Sequence, residues 1–264
     1  MTVAMRLFWE ITKRALARHL TYRVATITGL ITNLFFGVLR ASVLLALLGN
    51  SNSANGWNAQ DIVTYVALTQ ALMMVVSIFG WSELMNTVYR GEIAAELLRP
   101  TSLYTFWLAQ DVGRGLTALL TRGISIMLVC WLFFAIRVPN NFWQWLAVLL
   151  SLGLAMCLSF AFRFIVNLAA FWSPDAKGIA RFAFIVLGFA SGFLMPLRFF
   201  PDWLQQILAL TPFPHMMNST IEIYIGSNKT LELLALQLFW AIVLTLIAQL
   251  ILARATKRLV ILGG

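Results

Sequence analysis

Residues 142–172 read FWQWLAVLLSLGLAMCLSFAFRFIVNLAAFW, a run of 31 residues with one charge, Arg163. A helix needs about 20 consecutive apolar residues to cross a bilayer, and this run exceeds that length. Five more apolar runs lie on either side: 24–49, interrupted by Arg40; 62–81, continuing as helix to Arg90; 115–136; 182–197; and 231–253. The fifth, at 182–197, is short for a crossing. The chain has 264 residues, 61% apolar and only 11% charged, against roughly 25% charged in an average soluble domain. Mean hydropathy is +0.85. So little charge cannot cover so much apolar side chain in water. The composition excludes a cytosolic enzyme, a disordered chain and a disulfide scaffold, and it implies an all-α polytopic membrane protein with six spans.

Charge gives the orientation. Residues 1–23 are basic (Arg6, Lys13, Arg14, Arg18, Arg23) and carry Ala4, Leu7, Phe8, Ile11 and Ala15 on one helical face. That pattern describes an amphipathic helix lying in the cytoplasmic interface, the plainer reading being a solvated basic tail. With the N-terminus inside, the inner segments hold thirteen basic residues, including Arg90, Arg99, Arg114, Lys177, Arg181, Arg254, Lys257 and Arg258. The outer segments hold three, Arg137, Arg198 and Lys229. Positive residues favour the cytoplasmic side, so both termini are expected inside a bacterial plasma (inner) membrane. The net charge of +9 then reflects loops facing anionic lipid and no nucleic acid. Residues 1–264 form one transmembrane domain without internal repeats.

Several chemistries lack their residues. No G-x-x-x-x-G-K-[ST] loop is present; Gly226-Ser227-Asn228-Lys229-Thr230 lacks the second glycine. No H-E-x-x-H or G-x-S-x-G occurs, and His19 and His215 are the only histidines. Cys130 and Cys157 sit in apolar runs and read as buried small hydrophobes. No catalytic, cofactor-binding or metal-ligating set is expected on the chain. Asp61, Glu83, Asp111 and Glu232 fall near span ends, so no proton relay stands out.

Two segments are informative. Residues 90–100 contain a short amphipathic helix, 92–99, on the inner side. Glu92 and Glu96 share one face, Ile93 and Leu97 the next, with Gly91 permitting a turn and Pro100 a stop. Such a helix either plugs into a groove of a soluble partner or simply lies in the interface. Residues 196–226 follow the short fifth span with four prolines in quick succession, Pro196, Pro201, Pro212 and Pro214. Helical patterns at 203–208 and 216–225 are too short to cross. They read as two helices dipping into the outer leaflet, either as an external gate or as a capping loop.

Taken together, the segment Gly91-Glu92-Ile93…Glu96-Leu97-Leu98-Arg99-Pro100 resembles the cytoplasmic coupling helix of type-2 ATP-binding-cassette (ABC) transporter permeases. Met195-Pro196-Leu197-Arg198-Phe199-Phe200-Pro201-Asp202-Trp203-Leu204 and Thr211-Pro212-Phe213 resemble that family's re-entrant helices before the last span. The ending Arg254…Lys257-Arg258-Leu259…Gly263-Gly264 is similar as well. The resemblance implies a permease subunit of an exporter, not itself an enzyme, that works as a dimer with a second permease, identical or homologous. Two ABC ATPase subunits would bind below and carry the ATP and Mg. Residues 92–99 would seat in an ATPase cleft, and the first, second and fifth spans would line the pathway. Pro196, Phe199, Phe200, Pro201, Trp203, Pro212 and Phe213 become candidate external gate residues. An amphipathic substrate (lipid, drug or hydrophobic cation) suits the apolar spans. The alternative class is an ion-coupled carrier or channel without an ATPase.

Arg40 is the odd residue, a charge inside the first span that must face protein or water. It is a candidate for the pathway or the dimer interface. Arg122 and Arg163 lie in inner parts of their spans, where a long side chain reaches the inner headgroups. Trp143 and Trp145 at span ends read as interfacial anchors among membrane lipids.

Overall fold

A chain in lipid must satisfy its backbone N–H and C=O groups within itself, and a helix does this locally. The computed structural model describes residues 3–20, 23–48, 53 and 56–258, and among these every regular element is helical. Most of the 50–58 loop and the 259–264 ending lie outside the described residues.

The elements in order are α1 (Val3–Leu20), α2 (Arg23–Leu48), α3 (Ala59–Val76), α4 (Glu83–Tyr89), α5 (Ile93–Leu97), α6 (Leu103–Ala118) and α7 (Ile124–Phe133). They continue as α8 (Phe142–Leu168), α9 (Ala176–Ala190), α10 (Asp202–Ala209), α11 (Phe213–Met216), α12 (Asn218–Ile225) and α13 (Thr230–Ala255). A π-helical turn, Leu119–Gly123, joins α6 to α7 into one stretch of 31 residues. Among the described residues, five helical stretches are long and apolar enough to cross a membrane: Ile27–Leu48, Ala59–Val76, Leu103–Phe133, Phe142–Phe171 and Thr230–Arg258. The 15-residue α9 stands where the short fifth run was expected and is not among them.

Three boundaries differ from the sequence reading, each for a local reason. The second span does not continue as helix to Arg90. It ends at Val76 because Ser77 takes a left-handed φ of 53° and Gly80 a φ of 100°. A Cβ at Gly80 would lie 2.7 Å from the Phe184 ring, so glycine also permits close packing against α9. The third helix starts at Leu103, well before residue 115, because Ser102 caps it by accepting from the Thr105 N–H at 3.1 Å. The fifth run becomes helix from Ala176 and stops at Ala190, where Ser191 and a positive-φ Gly192 turn the chain.

The main core gathers α3, α8, α12 and the inner side of α13 around Tyr65, Leu158, Met216 and Ile221. A second cluster sits at the α5 end, around Leu84, Ile93, Trp107, Phe160 and Phe164. The α1 helix packs along α6, with Thr12 donating to the Ala109 carbonyl at 3.2 Å and Ala15 buried. Its charged residues Arg6, Glu10, Lys13 and Arg14 remain exposed. Cys157 is exposed and Cys130 half-buried, so neither is the buried thiol expected.

Candidate functional site

The 90–100 segment, the candidate coupling helix, presents two unlike faces. Gly91 makes the turn at φ 74°, a conformation glycine takes without a Cβ clash. The helix is α5, only five residues, shorter than the expected 92–99. Ile93 is buried in the lower cluster with Leu103, Trp107 and Phe164. Glu96 does not share a free face with Glu92. It turns inward, where Trp107 Nε1 donates to it at 2.9 Å and Arg99 approaches at 3.9 Å. The Arg99 guanidinium also lies over the Phe106 ring at 4.0 Å. Burial raises the Glu96 carboxyl above the ordinary glutamate range, opposed by Arg99 and the Trp107 bond. Glu92, Ala94, Ala95, Leu97 and Pro100 are exposed, and Leu98 is 88% exposed. The segment therefore presents an apolar tip with one acidic residue while its other face is fastened to α6.

Above the segment, the 77–82 break is pinned on both sides by one stripe of α8. Ser159, Arg163 and Asn167 fall four residues apart on one face. Ser159 donates to the Val76 carbonyl at 2.6 Å. Asn167 donates to the Trp81 carbonyl at 2.7 Å and accepts from the Met85 N–H at 3.0 Å. Arg163 is 0% exposed and holds both oxygens of Asp111 at 2.8 Å. It does not reach headgroups, because a carboxylate inside the bundle satisfies it first. Arg114 bonds the same Asp111 at 2.8 Å and donates to the Met74 and Val75 carbonyls at 2.5 and 2.9 Å. Thus the last carbonyls of α3, which a helix end leaves unpaired, are met by the Arg114 guanidinium and the Ser159 hydroxyl. Sequence reasoning missed this cluster. Its one visible signal was Asp111 and Arg114 three residues apart.

Tyr89 connects this lower end to α9. Its hydroxyl donates to the Ser173 carbonyl at 3.1 Å and accepts from the Ala176 N–H at 2.9 Å. The far end of α9 is also held. Arg40 Nη2 donates to the Phe193 carbonyl and to the Leu194 carbonyl at 3.2 Å, and its Nη1 to Thr69 at 3.3 Å. Tyr65 donates to the Gly192 carbonyl. Arg40, whose partner could not be named from the sequence, thus bonds to carbonyls of its own chain and lies over the Phe193 ring.

The external candidates follow directly. Pro196 and Phe200 are buried, and Phe200 stacks on Phe189 of α9 at 4.8 Å. Phe199 meets Trp57 edge-on, and Phe213 meets Phe162 of α8. Pro212 is half-buried, while Pro201 and Trp203 are exposed. Arg198 clamps the turn, bonding both Glu222 oxygens at 2.9 and 3.0 Å and lying 4.1 Å over Trp57. The expected pair of short helices becomes three, α10 to α12, of which α11 and α12 pack on α8 and α13. The two candidate regions therefore occupy opposite ends of α3, with α9 fastened to both.

No curated protein matches the chain. A family model described as "ABC-2 family transporter protein" matches residues 31–263, which take in most of α2, all of the later helices, the 90–100 segment and the 196–226 helices. The chain accordingly belongs to the ABC-2 family of transporter proteins, the membrane permeases of ABC transporters.

Proposed function

We propose that this permease is one half of an ATP-driven exporter in a bacterial inner membrane. It pairs with a second permease, identical or homologous, and with two separate ATPase chains that carry ATP and Mg. Six passes, counting α9 as the fifth, keep both termini cytoplasmic, in line with the basic residues at 6–23 and 254–258. The observation that carries the reading is the two-faced α5. A tip of Leu97 and Leu98 is free, while Ile93 and Glu96 fasten the segment to α6.

The geometry supports a mechanical path. An ATPase cleft seats Glu92, Leu97 and Leu98. Closure of the ATPase pair pushes α5, and Ile93 and the Glu96–Trp107 bond carry the push into the bundle. Through α4, Tyr89 passes it to the base of α9. At the far end Arg40 and Tyr65 deliver it to the turn that continues into Pro196–Pro201 and the external helices. Exposed Ile179, Phe182, Ile185 and Phe189 give α9 an apolar stripe for the pathway or the second permease. The apolar spans suit an amphipathic substrate, a lipid, drug or hydrophobic cation.

Inside-out membrane vesicles test this. Vesicles holding the intact transporter should take up a fluorescent phospholipid or hydrophobic cation when ATP is added. The Glu92→Lys/Leu98→Asp variant should insert normally and take up none. Full ATP-driven uptake by that variant would remove the role given to α5.

A further inference from the structure

Arg114, Thr117, Ala118, Thr121 and Arg122 fall at i, i+3, i+4, i+7 and i+8, a polar stripe on an otherwise apolar stretch. The π-helical turn Leu119–Gly123 carries the upper part of it. Such turns insert one extra residue, re-aim side chains and occur often at functional sites. The stripe faces a cavity of about 240 Å³ between α1, the end of α3 and α6, to which His19 and Ser77 also contribute.

The charge of this cavity is one-sided. No carboxylate is among its described lining residues. Of the two carboxylates close by, Glu83 faces Arg18 at 3.8 Å and Asp111 is turned away into Arg163 and Arg114. One carboxylate against two guanidinium groups leaves that cluster with a net positive charge, and Arg122 adds a second. Arg114 spends three of its five N–H donors on Asp111, Met74 and Val75, leaving two. The Arg122 guanidinium lies flat against α2 at Gly29, where a Cβ would come within 2.6 Å of its Cζ. The Thr117 and Thr121 hydroxyls, now donating to the Gly113 and Thr117 carbonyls, can rotate toward an anion. Burial, then Arg18, lowers the pKa of His19, which enters at neutral pH as an uncharged imidazole.

Depth favours a lipid over a solute. The polar stretch of this helix ends at Arg114, and the apolar run begins just after it. Arg122 lies eight residues further, about 12 Å of helix. The cavity therefore spans the boundary between headgroups and hydrocarbon. A water takes about 30 Å³ in the liquid. The cavity thus has room for a phosphate and part of the glycerol that carries it. We propose that it binds the phosphate of a membrane lipid headgroup, with Arg114 and Arg122 as the anion's donors. This site is separate from the α5 tip and does not rest on the export reading.

The test uses the full chain in a neutral detergent, with native mass spectrometry and thermal shift as readouts. The probes are dioctanoyl phosphatidylglycerol, dioctanoyl glycerol and inorganic phosphate. The phospholipid should bind and stabilise the protein, and the uncharged diacylglycerol should not. Arg122→Gln should weaken phospholipid binding by about tenfold or more, the scale of a lost charge-assisted bond. Gly29→Ala keeps the charge but displaces the guanidinium, so it should weaken binding in a chain that folds as the natural one. Unchanged binding in both variants, or equal binding of the diacylglycerol, would overturn the proposal. Inorganic phosphate competing at the lipid's own concentration would overturn the lipid assignment in favour of a dissolved anion.

Discussion

Replacing Asp111 with leucine leaves Arg163, which is 0% exposed, with no carboxylate partner and removes one of the bonds that orient Arg114. Removing one partner of a buried pair costs about 3–5 kcal/mol, because the remaining charge stays desolvated and unpaired. At about 1.4 kcal/mol per tenfold, the unfolding equilibrium should shift by roughly a hundredfold to several thousandfold. Arg163→Met leaves Asp111 with Arg114 and should cost less. The double variant Asp111→Leu/Arg163→Met removes both ends of the bidentate pair and should be more stable than the sum of the singles predicts. A coupling of at least about 1.5 kcal/mol is expected for so close a pair. Steric-trap unfolding in bicelles measures all four corners of the cycle. An Asp111→Leu cost under about 0.5 kcal/mol, the scale of an ordinary surface substitution, or an additive cycle, would contradict a buried, coupled pair.

Other expectations follow from the same contacts. Tyr89→Phe removes the link between α4 and the base of α9, costing about 1 kcal/mol locally. ATPase binding should survive, while transport falls more than ATP hydrolysis; parallel loss of both would contradict the path. Arg40→Met keeps the stem but frees the Phe193 and Leu194 carbonyls, so hydrogen exchange in the 191–195 turn should quicken, and unchanged exchange would count against the anchor. Glu96 has a raised pKa in the folded chain. Its protonated form is therefore favoured by folding, and the stability it contributes is full below the ordinary glutamate range and lost as pH rises through its raised value. Exchange in the 93–97 segment should speed up over that window, and Glu96→Gln should flatten the dependence.

The long helices were legible because a span writes itself as an unbroken apolar run, as α8 and α13 do. The shortness of the fifth run was legible for the same reason, and Gly91 and Pro100 bracketed the short 90–100 segment, although its helix is only Ile93–Leu97 and not 92–99. What the sequence concealed was tertiary. Asp111 and Arg163 are 52 positions apart, and nothing in either neighbourhood names the other, so headgroup contact was the plainer reading of Arg163. Trp107 decides which face Glu96 takes, and helical spacing alone could not supply that. The α6 start was missed because Ser102, Thr105 and Asp111 look like a polar loop until Ser102 is read as a cap. The break after Val76 had one cue, Gly80, but the left-handed residue at the helix end is Ser77, which no glycine pattern announces.

If α5 seats an ATPase as proposed, a charge placed at its tip should release that partner. Isolating the chain from its native membranes in mild detergent, and identifying the bound proteins by mass, tests it most directly. The natural chain should carry an ABC ATPase, with a second permease if the assembly is heteromeric, and Leu98→Asp should insert equally well and lose the ATPase. An ATPase retained by Leu98→Asp, or none bound to the natural chain under conditions that hold other ABC complexes together, would contradict it.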